Sequence, residues 1–178
     1  LMKTLGISEK NGWERFKSLQ AHYSIATRDL EREVVPLLED QNIGLMVWRP
    51  LSGGFLSGKY KRDQQPKETS RRKDFDFPPI NKEKAYDIIE VMEEIAGNHK
   101  STVAQVALAW LLHQRVVTTV IVGARKREQL EDNIQSTQIQ FSQDELNRLD
   151  EISRLQPEYP GWMVRFMQSD RDPNQPRE

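Results

Sequence analysis

The sequence predicts an α/β fold, a fragment of a larger (β/α)8 TIM barrel with about three parallel strands and their helices. Three strand-then-helix units follow one another along the 178 residues, which is typical of a parallel sheet with helices packed outside it. Three strands cannot close a barrel, and only 37% of the residues are hydrophobic, fewer than in an average globular domain. Both observations indicate that the rest of the barrel is absent and that its edge strands are open, so we expect possible self-association through those edges.

Three segments carry the strand patterns. Residues 16–23 alternate between polar and apolar with a period near two, and we expect this strand to end near Gln20. Residues 43–48 form a nearly continuous apolar run, as in a parallel strand that is covered on both faces. Residues 116–122 form a β-branched run that leads to Gly123.

Apolar residues at helical spacing predict the helices between and after these strands. Ser101 or Thr102 caps one of them, and Ser142 with Glu145 three residues later forms a capping box for another. The chain opens at Leu1 inside a helical pattern without a cap, so we expect a segment upstream. The predicted helices are the opening turns at 1–5 and residues 30–41, 81–97, 102–112, 127–136 and 142–153.

Two segments are predicted to lack regular structure. Residues 59–79 are charged and rich in Pro, Asp, Gln and Arg, which indicates a long surface loop. Residues 156–178 are Pro-rich and are predicted to form an irregular tail. The chain is therefore divided into a partial barrel at 1–155 and this tail at 156–178.

Composition excludes several classes of function. Lys plus Arg number 26 against 27 Asp plus Glu, so no net field attracts a polyanion and we expect no nucleic-acid partner. The absence of cysteine excludes disulfides and thiolate metal sites, and is typical of a reducing, cytoplasmic location. No apolar run approaches the roughly 20 residues that span a bilayer, so we expect no membrane association. We also expect no metal site.

Two strand ends carry long motifs. The second strand leads into VWRPLSGGFLSGKY, which resembles the seventh-strand motif W-S-P-L-x-x-G-x-L-x-G-K-Y of the aldo-keto reductases. The third gives IVGARKREQLEDNI, which resembles the eighth-strand motif G-A-R/S-x-x-x-Q-L-x-E-N, and the first lies in SLQAHYSIATRDLEREVVPLLEDQNIGL, which is similar to the sixth-strand region. The resemblance covers about residues 1–161. It implies the C-terminal part of a bacterial-type aldo-keto reductase barrel that binds NADP(H), with the N-terminal half absent.

The resemblance places two side chains against the nicotinamide. Gln20 offers a donor and an acceptor to a flat carboxamide, although taken alone it would be an ordinary polar strand residue. Trp48 offers a rigid face on which a heteroaromatic ring can stack, although taken alone it would be a core residue. Both interpretations are expectations from the family motif.

A second group of residues is expected at the phosphates and the adenosine. Gly53 and Gly54 let the backbone approach a pyrophosphate, and Lys59 is a suitable point charge, although such residues also occur in plain turns and on surfaces. Small residues before a helix N-terminus favour an anion, and Arg125 suits the 2′-phosphate that distinguishes NADP from NAD. The resemblance assigns to the cofactor Gln20, Trp48, Arg49, Pro50, Leu51, Gly53, Lys59, Gly123, Ala124, Arg125, Gln129, Asp132 and Asn133.

At two positions the chain departs from the family pattern. Arg49 stands where the family usually has Ser, so it either adds charge near the phosphates or blocks a contact. Asp132 stands where Glu is commoner, which shortens the reach by one methylene. Both departures affect local geometry.

The family reduces carbonyls by hydride transfer, with a Tyr acid supported by Lys, Asp and His from the first half of the barrel. Nothing in this chain matches those four, and His22 is interpreted as a pocket-wall or structural residue. We therefore expect a parent enzyme that takes a small carbonyl substrate, no catalytic residue in this chain and no turnover by it alone. The alternative is a non-catalytic nucleotide-binding or regulatory module, resembling the channel-associated members of the family.

Overall fold

The computed structural model of the protein describes residues 1–62, 77 and 79–167. A parallel sheet lies at its centre, with strands in the order β1 (Ser18–His22), β2 (Gly44–Trp48) and β3 (Val117–Val120). Helices follow each strand, as in successive units of a (β/α)8 barrel. The predicted α/β class and the partial barrel are confirmed.

The two faces of the sheet differ because strand side chains alternate. Leu45 and Val47 of β2 are fully buried, and their register partners Leu19 and Ala21 of β1 pack against the same core. The alternate residues of both strands, Gln20 among them, lie on the opposite face and are half-buried or exposed. In a closed barrel this second face would line the interior. On β1 its residues are polar: Ser18, Gln20 and His22.

Seven helices are found in the described ranges, and two of the sequence-predicted caps are confirmed. Thr102 and Gln105 form a capping box at the start of one helix, and Ser142 and Glu145 form another. The helices are α1 (Met2–Lys10), α2 (Val34–Asp40), α3 (Lys82–His99), α4 (Val103–Leu112), α5 (Arg127–Gln135), α6 (Gln143–Ser153) and α7 (Gly161–Phe166). Helix α4 is buried on nearly all sides and packs against α3, α5 and β3.

Two segments differ from their predictions. The helix expected at 30–41 is divided into a 3-10 turn, Asp29–Arg32, and helix α2. Pro36 explains the division, because it has no N–H and is tolerated only in the first turn of an α-helix. The tail is not wholly irregular, since it contains α7 after a Pro-rich stretch. Residues 63–76, 78 and 168–178, which include most of the predicted 59–79 loop, lie outside the described residues.

Arg28 joins the segment after β1 to helix α6. Its guanidinium lies 2.7 Å from a Glu31 oxygen, 2.8 Å from Asp150 and 2.7 Å from the Ser153 hydroxyl, and 5.4 Å from the Trp110 ring centroid. Burial alone lowers the pKa of Arg28, but hydrogen bonds to Glu31 and Asp150 and their charges raise it overall. A buried, paired cation therefore ties helix α6 to the segment that follows β1.

None of the helices in the described ranges combines the length and the apolar content that crossing a membrane requires. The same ranges contain no group of three or more His, Cys, Asp or Glu side chains placed to hold a metal ion.

Candidate functional site

The carboxyl ends of the three strands lie at one edge of the sheet. His22 and Trp48 are the last residues of β1 and β2 and are partners in the register. Strand β3 ends at Val120, shortly before Gly123. The edge therefore brings together the two motifs predicted to bind the cofactor, as expected for the ligand-binding face of a (β/α)8 barrel.

Gln20 is not at this edge, and the prediction that β1 ends near it is wrong. It pairs with Met46 in the middle of the strand, and pairing continues to His22. The polarity of a side chain does not show where backbone pairing stops, which explains the error. Gln20 is exposed on the same face of the sheet as Trp48, so its amide can still reach a ligand that lies over this face.

Trp48 is half-buried and has three neighbours with ring or cationic character. The His22 ring lies 5.4 Å away at a tilt of 55°, and the Phe77 ring lies 6.3 Å away, nearly parallel at 27°. The Arg49 guanidinium lies over both aromatic rings, at 5.7 Å from Trp48 and 5.4 Å from Phe77, and donates to the Phe77 carbonyl. A flat ligand that stacks on the indole must therefore share it with Phe77 or displace it.

The loop after β2 depends on left-handed backbone conformations. Gly53 and Gly54 have φ of 68° and 91°, and Arg49 and Ser52 adopt 52° and 48° although they carry side chains. Glycine adopts positive φ without cost, whereas other residues need support from their surroundings. The loop is closed by the Ser52 N–H, which donates to the Arg49 carbonyl at 2.9 Å.

The other motif residues of this loop differ in exposure. Pro50 is buried, Leu51 is half-buried and Lys59 is exposed. Pro50 and Leu51 therefore fix the loop against the core, while Lys59 presents its charge to solvent. Only the last of these is placed to meet a free anion.

The residues after β3 form an exposed turn before α5. Gly123, Ala124 and Arg125 are all exposed. The Gln129 side chain accepts a hydrogen bond of 3.0 Å from the Arg125 backbone N–H, which closes the turn. Helix α5 starts without a side-chain cap, so the dipole of its N-terminus favours an anion there.

Asp132 points into the protein's own structure. Its carboxylate accepts hydrogen bonds from the Gln105 amide at 2.8 Å and from the Thr102 hydroxyl at 3.3 Å. Both partners belong to the capping box of α4, so Asp132 joins α5 to the start of α4. Asn133 is half-buried one residue later, and its carbonyl accepts from the Ser136 hydroxyl at 2.6 Å.

Sequence reasoning missed a group of hydroxyls beside His22. Ser24 and Thr27 follow β1, Ser52 lies in the loop after β2, and hydrogen bonds connect the three hydroxyls to the His22 imidazole. Ser24 and Ser52 are fully buried. The only sequence signal was a cluster of short hydroxyl residues around the strand end.

Tyr23, the residue after β1, is buried in the core with 1% of its surface exposed. Its hydroxyl donates to Glu31 at 2.6 Å. Burial, together with the hydrogen bond and negative charge of Glu31, raises the pKa of Tyr23 above its ordinary value. The phenol is therefore a weaker acid than an exposed tyrosine. Through Glu31 it is connected to Arg28.

Comparison with known proteins identifies the family. The model of the aldo/keto reductase family matches residues 2–154, so the chain belongs to this family. The sequence resemblance is confirmed, and with it the assignment of the three strands to one part of a (β/α)8 barrel.

Several curated relatives are similar to the chain. A probable aldo-keto reductase 1 of Glycine max is 34% identical over 74% of this chain and 38% of its own length. An uncharacterized oxidoreductase of Bacillus subtilis (strain 168) is 33% identical over 85% of this chain and 45% of its own length. An NADH-specific methylglyoxal reductase of Escherichia coli (strain K12) is 31% identical over 76% of this chain and 41% of its own length. The chain thus spans less than half the length of these relatives.

Proposed function

We propose that this chain is the NADP(H)-binding C-terminal portion of an aldo-keto reductase whose complete form reduces aldehydes or ketones to alcohols. The observation that carries the proposal is the position of Trp48, half-buried at the end of β2 on the open face of the sheet, beside a glycine-rich loop. Bound there, the cofactor supplies the hydride that the carbonyl carbon receives.

The residues present fit the nicotinamide end of such a cofactor. The Trp48 indole offers a stacking face, and the exposed Gln20 offers a donor and an acceptor on the same side of the sheet. Phe77 lies nearly parallel to the indole at 6.3 Å. It therefore marks a position that an aromatic ring can occupy against Trp48.

The residues present also fit the phosphates. Gly53 and Gly54 present backbone without side chains, and the exposed Lys59 and Arg125 provide positive charge in the segments that follow β2 and β3. Charged groups at this edge bind phosphate through charge-assisted hydrogen bonds. The chain's own role is thus to bind, orient and neutralise the cofactor.

The choice between NADP(H) and NAD(H) rests on Arg125. One relative is named as NADH-specific, so family membership alone does not decide the choice. Arg125 is an exposed arginine two positions before the start of α5. Such a group grips a phosphate through two hydrogen bonds, which supports a 2′-phosphate and hence NADP(H).

Replacing Trp48 with alanine is expected to weaken NADPH binding by about 0.5–1.5 kcal/mol, because an aromatic stacking partner is lost. Isothermal titration calorimetry of the chain with NADPH measures the change. Trp13→Ala is the matched control, since Trp13 is 63% exposed and precedes the opposite end of β1. Equal effects of the two substitutions would contradict the proposal, as would a Trp48→Ala variant that binds like the original chain.

A further inference from the structure

A continuous series of hydrogen bonds crosses the carboxyl ends of β1 and β2. The Ser52 and Ser24 hydroxyl oxygens are 2.8 Å apart, and Ser24 is 2.6 Å from the Thr27 hydroxyl. Thr27 lies 2.9 Å from His22 Nε2, and His22 Nδ1 lies 3.2 Å from the Trp48 carbonyl oxygen. We call these five groups the His22 relay.

The Trp48 carbonyl sets the direction of the whole His22 relay. A carbonyl only accepts, so Nδ1 of His22 carries a proton, and when the ring is neutral its Nε2 accepts from Thr27. Because the Thr27 hydroxyl donates its only hydrogen to His22, it accepts from the Ser24 hydroxyl. The Ser24 hydroxyl in turn accepts from the Ser52 hydroxyl. Every bond then has one direction, and each hydroxyl hydrogen is used once.

The His22 relay ends on two features of the proposed cofactor site. At one end the His22 ring lies 5.4 Å from the Trp48 ring and bonds to the same residue's carbonyl. At the other end it reaches Ser52, which is buried and holds a φ of 48° in the loop after β2. A positive φ in a residue with a side chain persists only where the surroundings fix it.

We propose that His22 is a positioning residue, which orients Trp48 and holds the loop at 49–58 through the relay. This rests on the proposed function, in which Trp48 receives the nicotinamide. His22 itself touches no reacting atom. Its contribution is that the indole is already oriented before the cofactor arrives, which reduces the ordering that binding requires.

The ring's tautomer is the first test, and it needs no cofactor. The ¹⁵N chemical shifts of the His22 ring in the unmodified chain, at a pH where the ring is neutral, distinguish a protonated Nδ1 from a protonated Nε2. The relay requires the proton on Nδ1. A proton on Nε2 would remove the donor to Trp48 and overturn the proposal.

The second test compares His22→Asn with His22→Leu, two side chains of nearly the same shape. The Asn amide can donate to the Trp48 carbonyl from near the position of Nδ1, whereas Leu cannot. The Trp48 indole N–H resonance, assigned with Trp48→Phe, should stay close to its original position in the Asn variant and shift or broaden in the Leu variant. Equal changes in both would mean that His22 acts only through its bulk, which contradicts the proposal.

NADPH affinity provides the third measurement. His22→Leu should weaken binding about 2–10-fold, the equivalent of one hydrogen bond, and His22→Asn should remain within about twofold of the original chain. Equal affinities for the Leu and Asn variants would overturn the link to the cofactor. If the original chain bound no NADPH, the proposed function would fail, and the tautomer and indole measurements would still decide whether His22 positions Trp48.

Discussion

Replacing Arg28 with alanine is expected to lower the free energy of unfolding by about 1.5–3 kcal/mol, the usual contribution of hydrogen bonds to a charged group, because the cation is buried while its partners Glu31 and Asp150 are partly exposed. The Arg28 side chain is only 9% exposed and bridges Glu31 and Asp150, which lie on different elements. Without Arg28, the Glu31 carboxylate, which is 24% exposed, loses the guanidinium and keeps its hydrogen bond from the Tyr23 hydroxyl. The stacking of the guanidinium on Trp110 is lost as well.

Urea denaturation followed by circular dichroism measures this loss. Arg32→Ala is the matched control, since Arg32 lies in the same turn, is 35% exposed and pairs with Asp29 and Glu158. Exposed pairs contribute at most about 1 kcal/mol. A triple variant, Arg28→Met with Glu31→Leu and Tyr23→Phe, should lose less than Arg28→Ala, because it leaves neither an unpaired carboxylate at position 31 nor an unpaired buried hydroxyl at position 23. A loss no larger for Arg28→Ala than for the control would show that the cluster adds little stability.

The second large effect concerns catalysis: the chain alone is expected to reduce aldehydes at least about 10⁴-fold more slowly than a full-length relative. General acid catalysis and oxyanion stabilisation contribute on the order of 10²–10⁴-fold and 10²–10³-fold. The chain's own candidates for the acid are already engaged. Tyr23 is buried and donates to Glu31, and in the His22 relay Nδ1 of His22 donates to Trp48.

The assay follows the absorbance of NADPH, and in parallel of NADH, with a panel of aldehydes that includes methylglyoxal. The reference is the NADH-specific methylglyoxal reductase of Escherichia coli, which is similar to the chain and is assayed with NADH. Turnover within tenfold of that enzyme would show that a residue of this chain acts as the acid. His22→Ala and Tyr23→Phe would then identify which one. Such a result would also remove the need for catalytic groups from another part of the barrel.

Local patterns were enough to predict the strands and the helix caps. Ser142 and Glu145 form the expected capping box because that motif depends on residues three positions apart. The apolar run at 43–48 predicted a strand covered on both faces, and the strand is found at Gly44–Trp48. Only the face of Leu45 and Val47 is buried, and the alternate residues are half-buried. The order of the strands followed from the rule that successive β/α units lie side by side.

Contacts between distant segments could not be predicted in the same way. Arg28 and Ser153 are 125 positions apart, and nothing in the sequence pairs them. Asp132 was assigned to adenosine by its motif, but its carboxylate bonds to Gln105 and Thr102 because α5 packs against α4. Its role at the cofactor stays a prediction, as do the other site assignments and self-association through the open edges.

The central claim is that the carboxyl edge of this sheet recognises NADP(H), and Arg125 tests it most directly. We expect Arg125→Ala to weaken the binding free energy of NADP⁺ by about 1–3 kcal/mol more than that of NAD⁺, because a charge-assisted pair is lost. Titration of the chain with each cofactor measures both values. Arg115→Ala, which replaces another exposed arginine, before the opposite end of β3, should change neither affinity. Equal weakening of both cofactors by Arg125→Ala, or none, would contradict the account.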